Sequence, residues 1–495
     1  MNYCKFESKL VLLVICFLSL VNLCIGQDTL WVRRFDLGYH EAANGIACQG
    51  NNIVVVGNHY DTLLNSNWLI VKYNQLGETL WTRTFGTDFE DYPTDASFDS
   101  ENNILVAGYS GAFLNNKLNF LNSKVMEKLP ALIKFLPNQD DTIFAITIKY
   151  DSLGEIKWKK TEANKQAVGV TVDNEGNSYV SGIAFTSYDY DFWLIKYNPF
   201  GDSVWTRTLD FALLDAGYRV TTDAEGNIIQ SGFSGDGYSF DCYVIKYSPG
   251  GDTIWTRRFD LNSFDLGINV ATDLENNIIL VGLTGTEPYY DILVIKYNTE
   301  GTLIWSRTFD RATDDEAIGV ACDTNNNIFI TGVTGILDYY DYLTIKYNPA
   351  GDTIWTAIYD NGYDDVGQDI TCDDEGNPIV TGASIGPGYY DFLTIKYQSG
   401  LGIQEPFTQS ALPISKIIPD HSVIGSNLIF YAPFSGYFDL ELYDCNGKRE
   451  RKIHQGFLNQ GAHQFSINDL ACGVHFIKVE LPNGNSTIQK LVKIK

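Results

Sequence analysis

DTIWTRRFD, residues 252–260, lies deep in this 495-residue chain, and nearly the same phrase, DTLWVRRFD, residues 28–36, stands near its start. The phrase recurs around Trp31, Trp81, Trp158, Trp205, Trp255, Trp305 and Trp355, at spacings of 50, 77, 47, 50, 50 and 50 residues. Two other phrases keep the same beat. A glycine closes a β-rich run at Gly57, Gly108, Gly182, Gly232, Gly282, Gly332 and Gly382, and an I-K-Y or V-K-Y lysine follows at Lys72, Lys149, Lys196, Lys246, Lys296, Lys346 and Lys396. A period near 50 residues made of short strands implies the radially arranged sheets of a propeller.

One unit runs through LGINVATD, NIILVG, ILVIKY and TLIWSRTFD from Leu266 onward. These are four strands rich in Val, Ile, Thr and aromatics, here lettered A to D from the axis outward. D-x-x-G/N-N (as at 223–227) joins A to B, and N-P-x-G-D (as at 348–352) joins C to D. Asn and Gly accept positive φ and Pro presets the opening residue, so both joints are tight hairpins. The first D strand, residues 30–35, precedes every A strand, while the last C strand, residues 392–397, has no D strand after it. Pairing these two leftovers closes the ring without an exposed edge. Within strand D, Trp255, Arg257 and Phe259 share a face by the two-residue period and pack toward the adjacent blade, with the arginine discouraging sheet-edge association.

GNIIQSG, NIFITGVTG and DYLTIKYNPAGDTIW, with the acidic stretch after them, resemble the repeats of bacterial seven-bladed β-propellers found in exported and surface proteins, over about residues 28–398. The resemblance implies an all-β chain, a seven-bladed β-propeller spanning 27–398 and closed by an N-terminal strand. It implies little about activity, because one fold hosts many functions.

In this strand order the D–A and B–C loops emerge on one face and the short, uniform A–B and C–D hairpins on the other. The longer, more varied first face is where binding is expected. An acid stands ten residues after most of the tryptophans, at Glu41, Asp91, Asp215, Asp265, Asp315 and Asp365, with Val168 breaking the series. An aromatic residue precedes an aspartate at Tyr190, Phe240, Tyr290, Tyr340 and Tyr390, with Ser66-Asn67 in the first blade. Carboxylates beside aromatic faces suit a carbohydrate or a cationic peptide, and these eleven residues are the candidate ligand contacts. The structural alternative is that the acids cap turns and pair with interblade lysines while the aromatics fill gaps between blades. The main asymmetry is an insertion in blade two, residues 113–140, where Leu129, Leu132, Ile133 and Leu136 have the spacing of an amphipathic helix. It reads as a lid, a partner contact or a plug.

Catalytic signals are missing. Only His40 and His59 fall within the propeller, too few for a multi-histidine metal centre, and no G-x-S-x-G, H-E-x-x-H or P-loop pattern occurs. No catalytic residue, metal site or cofactor is assigned, with weak Ca²⁺ binding by Asp-rich turns left open. A glycan-active enzyme using channel-mouth carboxylates such as Asp314-Asp315 or Asp364-Asp365 is one alternative, and a structural surface or adhesion component is another.

Formal charge is −26, and residues 27–415 hold 24 Lys/Arg against 53 Asp/Glu, which argues against nucleic acid or anionic lipid as a partner. Residues 1–26 read as a signal peptide: Lys5 and Lys9, the apolar run VLLVICFLSLV, then small residues at Cys24 and Gly26 before a cut at Gln27. No later run is long enough to span a bilayer, so a secreted or outer-surface protein without a transmembrane anchor in its mature chain is expected. Cys48, Cys322 and Cys372 occupy equivalent repeat positions and read as small buried apolar residues, while Cys445 and Cys472 are a candidate pair. After a linker at 399–415, residues 416–495 alternate as strands of a small antiparallel sandwich, immunoglobulin-like in size. LYDCNGK, DLACGVHFIKVE and the closing QKLVKIK resemble the C-terminal sorting domain of type IX secretion substrates. That resemblance implies the type IX secretion machinery as a partner, beside an extracellular glycan or protein ligand.

Overall fold

The computed structural model describes residues 29–61, 65–112, 142–186, 189–262, 264–286, 289–311, 314–336, 339–385 and 389–400, and in the C-terminal region 417–419, 427–432, 436–444, 448–458, 461–466, 473–480 and 486–493. The signal segment, the helical reading of the insertion, most of the linker, and Cys445 and Cys472 lie outside these residues. The chain divides into two compact units, Met1–Gln404 and Glu405–Lys495.

The first unit is all-β and propeller-like, made of antiparallel groups that pair in the order A-B-C-D, as in Glu41–Gln49, Asn52–Tyr60, Ser66–Asn74 and Thr79–Phe85. The seam forms as the leftover strands require. Thr29–Phe35 pairs antiparallel with Tyr390–Tyr397, with Trp31 opposite Lys396 and Phe35 opposite Phe392. On the inner side, the Ile46 amide donates to Asp369 Oδ2 at 3.0 Å, so the first and last A strands also touch.

Each A–B pair has a register shift at the same place, for example between Ala43 and Gly45, between Gly267 and Asn269, and between Gly367 and Asp369. Such a bulge swings one A-strand residue toward the axis. It also explains the glycine at the end of each B run. A Cβ on Gly57, Gly232 or Gly382 would overlap the carbonyl oxygen of Ala42, Ala216 or Val366 on the bulged strand.

The second face is a repeated clasp. In the A–B turn, Asp223 Oδ1 accepts the amides of Glu225 and Asn227 at 3.0 and 2.8 Å, and Oδ2 accepts the Asn227 side chain. Gly226 adopts φ +79°, and Asn102, Asn276 and Asn326 take the same left-handed conformation in sister turns. The C-strand lysine then reaches the turn aspartate: Lys149 to Asp99 at 2.8 Å, Lys246 to Asp223 and Lys296 to Asp273 at 2.9 Å, Lys396 to Asp373 at 2.6 Å. Most of these lysines also donate to the C–D turn of the following blade, as Lys246 does to Thr299 O and Oγ1.

Strand D clasps that same turn. The indole of Trp255 donates to Thr299 O at 3.1 Å, and Arg257 donates through Nε to Gly301 O at 2.7 Å and through Nη2 to Glu300 O at 3.0 Å, its guanidinium lying over the Trp255 ring. Trp31/Arg33, Trp81/Arg83, Trp205/Arg207 and Trp305/Arg307 repeat the arrangement. The arginine is therefore an interblade fork. Ala357 replaces it beside Trp355, where the chain leaves the last C strand without a hairpin for a fork to hold.

The second unit contains an antiparallel sheet of Ile417–Pro419, Asn427–Ala432 and Gly461–Ser466, and another ordered Arg449–Leu458, Gly436–Asp444, Gly473–Glu480, Ser486–Lys493. Phe438, Leu440 and Leu442 alternate on a buried face. Among the described residues Cys48, Cys242, Cys322 and Cys372 are free thiols. Cys242 is buried, whereas Cys48, Cys322 and Cys372 are half-buried rather than fully inside.

Candidate functional site

The acid series lies beneath the first face. Glu41, Asp91, Asp215, Asp265, Asp315 and Asp365 are all 0% exposed. Their oxygens turn back onto the D–A loop: Asp265 Oδ2 accepts the amides of Leu261 and Asn262 at 2.6 and 2.9 Å, Asp315 Oδ2 accepts Arg311 N at 2.7 Å, and Asp365 Oδ2 accepts Asn361 N at 2.8 Å. Asp91 takes the amide and hydroxyl of Thr87, and Asp215 the amides of Phe211 and Ala212. A carboxylate closing a loop three or four residues back is a turn cap. Burial without a dedicated cation lifts these groups: Glu41, Asp315 and Asp365 to about 7, Asp215 to about 6, and Asp91 and Asp265 upward. The C-strand lysines pair with the A–B turn aspartates on the opposite face, not with this series.

The five aromatic candidates divide. Tyr190, Phe240 and Tyr290 are buried in one apolar cluster with Leu214, Phe233, Phe264 and Leu266. Tyr340 and Tyr390 are half-buried, and their hydroxyls meet Asp314 Oδ2 and Asp364 Oδ2 at 3.4 and 3.3 Å. As ligand contacts, then, the structure sets the acids and the first three aromatics under a closed surface and leaves only Tyr340 and Tyr390 at an accessible edge.

The position one residue before each capping acid breaks the repeat's symmetry. It is His40, Glu90, Leu214, Phe264, Asp314 and Asp364. Where it is apolar, the strands of neighbouring groups meet through a single parallel bridge, Tyr190 with Leu214 and Phe240 with Phe264. Where it is polar, its side chain accepts the C-strand amide instead: Ser66 N to Glu90 Oε2 at 3.0 Å, Tyr290 N to Asp314 Oδ1 at 3.2 Å, Tyr340 N to Asp364 Oδ1 at 3.0 Å, and Tyr390 N to His40 Nδ1 at 3.3 Å. That last bond leaves His40 Nε2 to carry the proton of the neutral ring. The signal was available in the sequence, one column to the left of the acids.

Aromatics gather around the polar positions. His40 is exposed and stands edge-on to Tyr389 at 4.9 Å and to Tyr60 at 6.3 Å, with Tyr390 at 6.0 Å; Tyr39 meets Tyr389 at 6.3 Å. Tyr92 hydrogen-bonds the Tyr60 side chain and stacks on Tyr109 at 5.2 Å. Tyr218, nearer the axis, lies by Tyr109 and Glu316.

Below this arc the axis is closed by charge. Arg219 reaches Asp95 Oδ1 at 2.6 Å, Asp369 Oδ2 at 3.8 Å and Asn44 O at 3.2 Å, linking four different repeats. Burial raises both carboxylates, Asp369 to about 6. It opposes the guanidinium charge as well, but Asp95 and Asp369 more than offset that. Among the described residues, two acidic groups on the first face have oxygens within 4.8 Å of one another, Asp36/Glu41/Asp391 and Asp189/Asp191/Asp210. In the first, Arg34 lies 2.8 Å from Asp391 and supplies positive charge.

No family model matches the chain. A stretch of 116 residues, 23% of this chain, is 27% identical to an uncharacterized WD repeat-containing protein of Acanthamoeba polyphaga mimivirus, of whose length it spans 8%. Among solved structures the chain is similar to Sqt1 of Chaetomium thermophilum (10% identity, 76% of this chain and 98% of that one, TM-score 0.44), to the Dos1 propeller (9%, 75% and 96%, 0.43) and to the polysaccharide lyase Uly1 (10%, 72% and 89%, 0.43). The chain itself is all-β and propeller-like, built of successive four-stranded antiparallel groups.

Proposed function

We propose that the chain is an exported or outer-surface protein whose seven-bladed β-propeller, closed by its N-terminal strand, is a binding module for an extracellular polymer (glycan) or protein and performs no chemistry. The observation that carries this reading is the asymmetry of the first face. Residues identical in every blade serve the fold, whereas His40, Glu90, Asp314 and Asp364 with their tyrosines fill one sector only. Hydrolysis of a glycan by the usual pair of carboxyl groups needs both free to face one bond. Asp314 and Asp364 instead accept a backbone amide on one oxygen and a tyrosine hydroxyl on the other.

The C-terminal unit is assigned to an immunoglobulin-like sandwich that directs type IX secretion. The motifs LYDCNGK and DLACGVHFIKVE and the two antiparallel sheets support this. Among the described residues no helix is long and apolar enough to cross a membrane. The test is a glycan array and protein pull-down with the full mature chain, beside hydrolysis and elimination assays on any captured polymer. Saturable binding without turnover supports the module, turnover replaces it with an enzyme, and neither result points to a structural surface component.

A further inference from the structure

We propose that the polar arc of the first face is a subsite for a neutral polysaccharide, held by stacking on Tyr389, His40 and Tyr60 and by hydrogen bonds to the tyrosine hydroxyls beside them. This rests on the binding-module reading and names its ligand. A pyranose has an apolar C–H face and a rim of hydroxyls, so it is recognised by aromatic planes flanked by groups that both donate and accept. The arc supplies that combination. Tyr389 is 47% exposed, His40 is exposed beside it, and Tyr39, Tyr60, Tyr92 and Tyr390 are half-buried around them. Tyrosine and histidine rings have few rotatable bonds, so they present contact area at a low entropy cost.

The opposite sector shows what the same repeat does without a ligand to serve. There Leu214, Phe233, Phe240, Phe264 and Leu266 are buried and close the surface. Leu214 and Phe264 stand where the arc has His40, Glu90, Asp314 and Asp364, so polarity at this position is confined to neighbouring blades.

Charge selects among polymers. Glu90, Asp314, Glu316 and Asp364 line the arc, Arg34 beside it is already paired with Asp391, and residues 27–415 are strongly acidic. Uronic or sulfated chains would be repelled. A cationic chain is disfavoured because the Asp314 and Asp364 oxygens are already engaged by amides and phenols.

The test is affinity electrophoresis of the full mature chain through gels carrying a neutral β-glucan, xylan or galactomannan, against polygalacturonic acid and chondroitin sulfate. The chain is expected to be retarded by at least one neutral polymer and by neither acidic one. The double variant His40→Ala/Tyr389→Ala should weaken retardation at least about tenfold, since each lost stacking contact is worth roughly a several-fold change. Tyr238→Ala, 79% exposed at a B–C loop of the opposite sector, should leave it unchanged. Thermal unfolding of all three proteins separates lost binding from lost folding. If a neutral polymer binds but the double variant, still folded, binds as well, the arc is overturned while the binding module stands. Preference for an acidic polymer, or capture of a protein without any polymer, likewise overturns the ligand class alone. A wild-type chain that binds neither polymer nor protein overturns both.

Discussion

Most A strands begin and end near an acid, and the two ends of the strand treat their carboxylates in opposite ways. At the first-face end, Asp315 and Asp365 are buried against loop amides and raised to about 7. At the second-face end, burial also pushes Asp99, Asp223 and Asp373 upward, but lysine, asparagine and backbone donors more than offset it, and these groups end below their ordinary value. The residue type is the same and the burial is similar. What differs is the partner: an amide supplies a partial charge, whereas a lysine 2.6 to 2.9 Å away supplies a whole one. The second face is accordingly built on ion pairs, and the first on amide-held caps whose carboxyls burial raises.

The largest effect should come from breaking an ion pair. Lys296→Met leaves Asp273, whose side chain is 0% exposed, without its cation and should cost about 3 to 5 kcal/mol in a denaturant titration. Asp315→Asn on the other face keeps an acceptor for the Arg311 amide and should cost about 1 kcal/mol or less at pH 8. If the asparagine variant is the more damaging of the two, the contrast between the faces is wrong.

The faces should also separate in pH. A raised carboxyl binds its proton more tightly in the folded chain, so its contribution is fully present below pH 4 and is lost as pH rises through about 6 to 7. The lysine-paired aspartates run the other way: their contribution is present above pH 4 and is lost as pH falls through their lowered folded values. Melting temperature should therefore decline between pH 5 and pH 8 and fall again in strong acid. Asp315→Asn should flatten part of the first slope and leave the acid limb unchanged. A melting temperature that climbs from pH 5 to pH 8 would mean that burial does not dominate the first-face acids.

The strands, the period and the seam were legible because they rest on patterns that repeat: the pairing of residues 30–35 with residues 392–397 follows from counting leftover strands, and the structure adds the register, Trp31 opposite Lys396. The capping acids were ambiguous. A carboxylate at a fixed repeat position looks alike in sequence whether its lone pairs meet a loop amide four residues back, as Asp365 meets Asn361, or a ligand in solvent. Arg219 was invisible for a different reason. Its partners Asp95 and Asp369 stand 124 and 150 positions away, and only closure of the ring brings the three to the axis. In sequence the arginine of W-x-R looks like an edge charge, because the carbonyls it grips belong to the next blade's turn, whose proximity is a tertiary fact.

The smallest expected effect follows from the uniformity of the second face. If its clasps are independent modules, a missing part can be restored from a sister repeat. Blade two carries Lys160 where the Arg257 fork would be, and its side chain already lies over the C–D turn, close enough to Gly201 that a Cβ there would meet Lys160 Cε at 2.9 Å. Trp158 makes the usual bond to Pro199 O at 3.1 Å. Lysine can offer a point charge to this turn but not two parallel donors. Lys160→Arg should let Nε reach Gly201 O and Nη2 reach Phe200 O, as Arg207 does at Gly251 and Gly250, for a gain of about 0.5 to 1 kcal/mol. No corresponding exchange is expected to succeed on the first face, where replacing Asp364 by the phenylalanine of blade five removes the acceptor for Tyr340 N and the Tyr390 hydroxyl together. A Lys160→Arg chain no more stable than the parent would mean that each clasp is tuned to its own blade.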